Sequence, residues 1–189
     1  MNRIIVPTTY KWKPEAFRKE TKGIVVHSMA KDINGNSPLF LNKRGLSAHA
    51  FIHPNGTIQQ GQYDKYKAYH AGVSQWDDEV NLNDTYLGIE LLVEVPATIT
   101  GVSPDLYSRF LYTIDHFDWV KSPQFDSLVW LCKHWMKDFP TIKRENIISH
   151  SDCSGDDVRG EGKGKRDVGK MFDWKLFNKY MDGNGIFPV

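Results

Sequence analysis

Short apolar runs alternate along this chain with longer stretches in which apolar residues recur every three or four positions. Residues 23–27 are β-branched and end on a histidine, which is typical of a buried strand that delivers this side chain at its end. Residues 86–93 are the most strand-like run, and their alternation puts three apolar side chains on one face and Glu90 on the other. A third short run, residues 147–148, precedes His150. These runs predict three buried strands.

Residues 46–60 have the pattern of a β-hairpin. An apolar segment leads to the turn Pro54-Asn55-Gly56, and a second short segment follows it. Asn-Gly between two such segments is a strong signal for a two-stranded hairpin. We therefore predict a pair of antiparallel strands here, after an irregular lead-in over residues 1–22.

Three helices are predicted in the second half of the chain. Ser103 precedes Pro104 and Ser122 precedes Pro123, so each pair offers an N-cap followed by proline at the first helical position. Apolar residues then recur with helical spacing. A polar, glycine-rich loop is predicted after the third strand, and the last helix is predicted near residues 174–181.

The interspersed order of strands and helices predicts an α/β fold with a central mixed β-sheet flanked by helices on both faces. The length of 189 residues suits one domain, residues 1–189, with a sizeable core. No internal repeat or second domain boundary is visible in the sequence. We expect the chain to be a monomer.

Charge and composition exclude several classes of partner. The formal net charge of +1 is not the strongly basic charge typical of a nucleic-acid-binding protein. No apolar stretch approaches the length of a membrane span. The opening residues have too short an apolar run for a signal peptide, so we predict synthesis as a cytoplasmic protein. Cys132 and Cys153 are too few for a disulfide framework and are predicted to be free thiols.

His27, His150 and Asp167 are a candidate metal site. Both histidines follow a short apolar run, and the aspartate returns after a polar segment. Two imidazole nitrogens and a carboxylate oxygen suit a zinc ion that keeps one position open for an activated water. Other trios remain open because His49, His53 and His70 are rivals. A structural role in a hairpin, turn or loop is the alternative for each histidine.

Glu90 and Lys165 are candidates for the chemistry around such a metal. Burial in an apolar strand would raise the pKa of Glu90 and suit it to general base catalysis. The alternative is a structural carboxylate paired with a lysine or a backbone amide. Lys165 could stabilise an oxyanion, or it could be a solvated loop charge. In an extended backbone Lys165 and Asp167, two residues apart, would face the same way.

Eight segments, in this order, carry a resemblance to a known family. They are Ile24-Val-Val-His27, Leu46-Ser-Ala-His49, Asn55-Gly-Thr-Ile58, Tyr69-His-Ala-Gly-Val-Ser-Gln75, Gly88-Ile-Glu-Leu91, His150-Ser-Asp152, Lys165-Arg-Asp-Val-Gly169 and Phe172-Asp-Trp174. The set resembles the zinc-dependent N-acetylmuramoyl-L-alanine amidases, the type-2 amidase family related to peptidoglycan recognition proteins. The closest likeness is to the branch that recycles anhydromuropeptides. The resemblance covers most of residues 23–177, and residues 95–121 within this range are predicted to be an insert.

The resemblance implies a hydrolase that cleaves the amide between N-acetylmuramic acid and L-alanine in peptidoglycan or muropeptides. It implies Zn²⁺ on His27, His150 and Asp167, with zinc-bound water as nucleophile. It also implies Glu90 as the base and Lys165 as the transition-state stabiliser.

The segments also distinguish branches within the family. Phage amidases of this kind carry a catalytic tyrosine where this chain has Ala48, and this chain carries Glu90 instead. That pair of differences favours the glutamate mechanism. We also predict that His70 and Ala48 contact the substrate.

Two further alternatives are left open by the sequence. The first is a non-catalytic peptidoglycan recognition module, although the presence of Asp167, Glu90 and Lys165 favours an enzyme. The second concerns the biological context, which is either a bacteriolytic phage endolysin or a recycling enzyme. A lysin would carry out cell wall degradation, acting in the wall or in the periplasm. A recycling enzyme would instead act on soluble muropeptides.

Overall fold

The computed structural model describes residues 5–6, 16–31 and 37–183. Its strands are β1 Ile5–Val6, β2 Gly23–Ala30, β3 Ala50–Ile52, β4 Ile58–Gln60, β5 Gln75–Trp76, β6 Glu79–Val80, β7 Tyr86–Val93 and β8 Ile147–Ser149. Its helices are α1 Ser37–Asn42, α2 Leu106–Ile114, α3 Pro123–Asp138, α4 His150–Ser154, α5 Asp156–Arg159 and α6 Trp174–Met181.

Six strands form one mixed sheet in the order β1-β4-β3-β7-β2-β8. Strands β3, β7, β2 and β8 run parallel to one another, while β4 is antiparallel to β3 and parallel to β1. The two long strands at the centre, β2 and β7, pair over eight residues. A second, two-stranded sheet is formed by β5 and β6.

One face of the sheet carries the main hydrophobic core. Leu87, Ile89 and Leu91 all point to this face, as their alternation along the strand predicted. Helices α2, α3 and α6 cover it with apolar side chains that include Trp135 and Phe177, both almost fully buried. Several aromatic side chains take part in this layer, and each one buries a large apolar area.

The opposite face is covered by shorter elements and loops. Val25 and Ile148 pack there against Cys153 of α4, and Phe51 packs against Leu41 of α1. Helices therefore lie on both faces of a mixed sheet, as predicted. Glu90 and His27 point to this thinner side because they alternate with the residues of the main core. The thinner side leaves room for a functional site.

The predicted hairpin, the central strand over residues 86–93 and the last helix are confirmed. Strands β3 and β4 are antiparallel on either side of the Asn55-Gly56 turn, and Gly56 takes a positive φ of 82°. Helix α3 begins at Pro123 behind Ser122, as predicted, and α6 follows Asp173, whose side chain accepts from the amide of Leu176. Both cysteines are free and buried.

Three expectations about local structure were wrong. Helix α2 begins at Leu106 and not at Pro104, because the side chain of Asp105 caps it by accepting from the amide of Ser108. The predicted loop after β8 contains α4 and α5. The lead-in contains β1, whose two residues pair with β4. Strand β1 and helices α4 and α5 are short, so their apolar patterns were too brief to reveal them.

No helix within the described ranges has the length and apolar character needed to cross a membrane.

His49 is a structural histidine of this fold. Its ring is buried, with Nδ1 accepting from the amide of Gly88 at 2.9 Å and Nε2 donating to the carbonyl of Tyr66 at 3.1 Å. Burial and then the charge of Arg18 lower its pKa from 6.5 to about 3. The folded protein therefore holds this ring in its neutral form.

We expect His49 to make the metal-free protein less stable as the pH falls from 6.5 towards about 3. In this window the unfolded chain binds a proton that the folded chain rejects, so the free energy of unfolding decreases with decreasing pH. His49→Asn keeps an acceptor for the Gly88 amide but cannot titrate. It should flatten the slope by up to about 1.4 kcal/mol per pH unit in urea denaturation with a chelator present. Equal slopes for both proteins would contradict this account.

Candidate active site

The candidate site lies on the thinner face of the sheet, where three parallel strands stand side by side. His27 of β2 is paired in register with Glu90 of β7, so both side chains emerge on the same face next to each other. His150 comes directly after β8, as the first residue of α4. One detail differs from the prediction, because β2 continues for three residues beyond His27 instead of ending there. The strand continues because Ser28, Met29 and Ala30 still pair with β7.

Asp167 meets both histidines at one point. Its Oδ2 lies 3.1 Å from Nδ1 of His150 and 3.5 Å from Nδ1 of His27. The backbone amide of Ser28 also faces this oxygen, at 3.4 Å. The three candidate ligand atoms all lie within 4.8 Å of one another, and they are the only such group in the described ranges. The structure thus brings together the three residues that the sequence singled out.

The loop that carries Asp167 is attached to the rest of the protein on both sides. The amide of Ser151 donates to the carbonyl of Asp167 at 3.0 Å, and the amide of Lys165 donates to the carbonyl of Ser154 at 2.8 Å. The next side chain, Val168, is buried in the main core. These contacts fix the carboxylate against the two histidines although many residues separate them in sequence.

The chemistry of this group fits a bound cation. Nε2 of His150 lies 3.2 Å from the carbonyl oxygen of Ala71, which can only accept, so this nitrogen donates and Nδ1 carries a lone pair. That lone pair faces the carboxylate of Asp167, which also has only lone pairs when ionised. A positive ion between them would satisfy both groups. Two imidazole nitrogens and one carboxylate oxygen are a common zinc ligand set, and a carbonyl behind a ligating histidine is a frequent supporting contact.

The protonation states also suit a metal ligand set. Burial, followed by the neighbouring His150, lowers the pKa of His27 to about 4 although Asp167 opposes the shift. Burial acts to raise the pKa of Asp167, but the neighbouring imidazoles of His150 and His27 outweigh it and keep this pKa low. A neutral imidazole and an ionised carboxylate are the forms that bind a metal.

Glu90 is a buried carboxyl group beside this cluster. Its side chain is 7% exposed, and Oε2 has no hydrogen-bond partner among the residues that the structure describes. Burial raises its pKa well above the usual value, the charge of Asp167 adds to this effect, and Lys165 opposes it. The alternative of a fully satisfied structural carboxylate is therefore not supported for this oxygen. An unpaired carboxyl with a raised pKa in a cleft is typical of a functional group.

Lys165 is exposed and lies near enough for its charge to lower the pKa of both Glu90 and His27. A cleft of about 330 Å³ opens beside it and is also lined by Asp115, Arg166 and Trp174. Asp115 pairs with Arg166 at 2.8 Å, so the predicted insert over residues 95–121 contacts the loop that carries Asp167. That this stretch is an insert stays a prediction.

The group of candidate ligand atoms does not include the rival histidines His49, His53 and His70. The ring of His49 forms hydrogen bonds with the backbone of Gly88 and Tyr66. Nε2 of His53 lies 2.9 Å from Oε1 of Gln59 within the hairpin. His70 lies behind His27, with its Nδ1 2.9 Å from Nε2 of His27. The side chain of Ala48 is fully buried in a small cluster with Phe51.

His70 is 9% exposed, and Ala48 is fully buried. That these two residues contact the substrate stays a prediction.

Two supporting residues were not singled out from the sequence. The carbonyl of Ala71 faces His150, and the side-chain oxygen of Asn83 accepts from the amides of His70 and Ala71 at 2.9 and 2.8 Å. Both residues lie in polar connecting segments with no periodic pattern. Their roles depend on which segment the fold brings behind the histidines, and this is a tertiary property.

Comparison with known proteins gives this arrangement a family. The model of the N-acetylmuramoyl-L-alanine amidase family matches residues 17–169. The 1,6-anhydro-N-acetylmuramyl-L-alanine amidase AmpD of Haemophilus influenzae is 30% identical over 132 residues, which are 70% of this chain and 56% of that protein. The N-acetylmuramoyl-L-alanine amidase AmiD of Escherichia coli is 27% identical over 174 residues, 88% of this chain and 55% of that protein. The chain thus spans about half the length of these curated relatives.

A solved structure supports the same assignment. It is a complex of AmiD from E. coli with the substrate anhydro-N-acetylmuramic acid-L-Ala-D-gamma-Glu-L-Lys, and it is 26% identical to this chain. It superposes with a TM-score of 0.62 and covers 95% of this chain and 63% of that one. The family match extends over most of the chain and includes all three candidate ligands, both central strands and Glu90. The chain therefore belongs to the N-acetylmuramoyl-L-alanine amidase family.

Proposed function

We propose that this protein is a zinc-dependent hydrolase of the amide between N-acetylmuramic acid and L-alanine. The observation that carries the proposal is the convergence of His27, His150 and Asp167 on one point, beside the unpaired carboxyl group of Glu90. The named activities of the relatives AmpD and AmiD support the same reaction.

His27, His150 and Asp167 would hold the zinc ion through two Nδ1 atoms and one carboxylate oxygen. A zinc ion held there would polarise the scissile carbonyl and lower the pKa of water. The three side chains are fixed by the strand pairing and by the loop contacts described above, so the site needs little rearrangement to bind the ion.

Glu90 would act as the general base that takes a proton from the attacking water. Its burial raises its pKa well above the usual value, and a carboxylate with a raised pKa is a stronger base than an ordinary one. The same group can then donate this proton to the departing amine of L-alanine. Lys165 would stabilise the negative charge that develops on the carbonyl oxygen, because its ammonium group lies at the exposed edge of the site.

We infer that the substrate is a muropeptide, meaning a muramic acid with its stem peptide. Support comes from the AmpD and AmiD relatives, one of which was solved with an anhydromuramyl peptide. The cleft beside Lys165 would take part of this substrate, and its charged lining with Trp174 suits a ligand with both carboxylates and apolar groups.

Two substitutions should separate metal binding from base catalysis. Asp167→Ala removes a ligand, so zinc content and hydrolysis should fall together. Glu90→Gln keeps the shape of the side chain but cannot accept a proton, so it should keep its zinc and lose roughly 10²–10⁴ in rate. Zinc content, melting temperature and amide cleavage are measured side by side for both variants and the parent protein.

The matched control for both is a chelator-treated sample of the unmodified protein, which should regain hydrolysis when zinc is added. A folded, zinc-loaded Glu90→Gln variant with nearly full activity would show that the base lies elsewhere. Full hydrolysis by a verified metal-free preparation would exclude zinc from the reaction.

The substrate class can be tested by a direct comparison of soluble and polymeric substrates. Purified protein is incubated with anhydromuropeptides and with intact sacculi, and the release of free stem peptide is followed by mass spectrometry. We expect release from the soluble substrate, since the relatives AmpD and AmiD are associated with anhydromuramyl peptides. Release from sacculi alone would favour a lysin. Binding to either substrate without cleavage, in zinc-loaded protein, would favour a recognition module.

A further inference from the structure

Behind His27, on the side away from Asp167, lies a second buried imidazole whose role the proposed function does not include. Nε2 of His27 is 2.9 Å from Nδ1 of His70, and the two rings meet edge to face with centroids 5.0 Å apart. Both rings are buried, at 2% and 9% exposure. One proton must lie between these two nitrogens. If Nε2 of His27 carries it, Nδ1 of the same neutral ring has a lone pair, and if His70 carries it, Nδ1 of His27 is protonated.

The far side of His70 determines the position of that proton. Nε2 of His70 lies 3.2 Å from the carbonyl oxygen of Tyr86, at the start of β7. A carbonyl oxygen only accepts hydrogen bonds, so Nε2 of His70 must donate. In a neutral imidazole the other nitrogen then carries a lone pair. Nδ1 of His70 is therefore the acceptor in the contact with His27.

The same reasoning extends to His27. Its Nε2 faces an acceptor and must donate, so its own lone pair lies on Nδ1. That atom is the one that faces Asp167 in the candidate metal site. We propose that His70 is a positioning residue that fixes His27 in the tautomer whose Nδ1 lone pair is available to a metal ion. The proposal rests on the metal-binding part of the proposed function and is independent of which bond is hydrolysed.

The surrounding structure holds the ring of His70 in this orientation. Its backbone amide and the next one donate to the side-chain oxygen of Asn83. Gly88 of β7 lies beneath the ring, and a Cβ atom there would lie only 2.5 Å from Cγ of His70. The absence of a side chain at Gly88 therefore makes room for the imidazole next to the strand. These contacts leave the ring little freedom to turn its Nδ1 away from His27.

His150 is supported differently, since its Nε2 donates straight to the carbonyl of Ala71. For His27, the imidazole of His70 lies between Nε2 of the candidate ligand and the carbonyl of Tyr86. A supporting group of this kind orients a metal ligand and raises its basicity, and its loss typically costs 10–100-fold in metal affinity. A substrate contact of His70 would instead alter KM and leave zinc affinity unchanged.

The test compares His70→Asn with His70→Phe. Asparagine places a side-chain oxygen near the former Nδ1 and can still accept from His27, whereas phenylalanine fills the space without an acceptor. We expect zinc affinity, measured by competition with a chromophoric chelator, to fall about 10–100-fold in His70→Phe. His70→Asn should retain most of the affinity. The matched control is His49→Phe, which alters a buried ring that contacts His70 and has its own hydrogen bonds with the backbone of Gly88 and Tyr66, with Arg18 nearby.

A second readout needs neither zinc nor activity. Long-range proton–nitrogen NMR spectra of the metal-free parent protein report which ring nitrogen of each histidine is protonated. We expect a proton on Nε2 of both His27 and His70, and we expect His27 in His70→Phe to lose its single tautomer. This measurement decides the question even if a variant folds poorly.

Two results would overturn the proposal. The first is a proton on Nδ1 of His27 in the parent protein, and the second is unchanged zinc affinity in a folded His70→Phe variant. If the parent protein binds no zinc but shows the expected tautomers, the metal centre of the proposed function fails while the positioning contact stands. If it binds zinc without hydrolysing muropeptides, only the assigned reaction fails.

Discussion

The parallel register between β2 and β7 is the constraint on which the site depends. It pairs His27 with Glu90 within an eight-residue ladder, so the proposed metal ligand and the proposed base stand on neighbouring strands and on the same face. A shift of one residue would turn one of them into the core, because side chains alternate across a strand. The register is strongly specified since the same alternation buries Ile24, Val26 and Leu87 under the helices.

Around this pair, the protein keeps several polar groups in a poorly solvated space. Burying carboxylates and imidazoles costs free energy unless each finds a partner. Each candidate histidine ligand donates to an acceptor on its far side, and the lone pairs of both rings and of Asp167 meet at one point, where a cation would satisfy them. Glu90 differs, because one of its oxygens has no partner in the described structure. A buried carboxyl oxygen without a partner next to such a cluster supports the proposed role of Glu90 as base.

The thinner face of the sheet separates the scaffold of the fold from the segments that shape the cleft. The main core and its helices lie on the far side and hold the strands in place. The site itself is built from loops and short helices, such as α4 and the segment that carries Lys165 and Asp167. Contacts such as Asp115 with Arg166 connect this segment to α2 and its flanks. Changes in the region of α2 can alter the cleft without disturbing His27 and Glu90 on the central strands.

The sequence by itself determined the elements with a long or strongly marked pattern. The alternation in β7, the Asn55-Gly56 turn and the proline at the start of α3 are local signals, and the structure contains each of them. The ordered motifs also pointed to the family and to His27, His150 and Asp167 as a set. The short elements β1, α4 and α5 were not predicted, since two to five residues carry no readable period.

Only the tertiary structure decided which groups stand behind these residues. The carbonyls of Ala71 and Tyr86 and the side chain of Asn83 act through contacts between segments far apart in the chain. Hydrogen-bond direction at a histidine depends on the partner that the fold supplies, and no residue type announces that partner. The sequence could therefore name the candidate ligands, but the proton positions that would suit them to a metal ion follow from the fold.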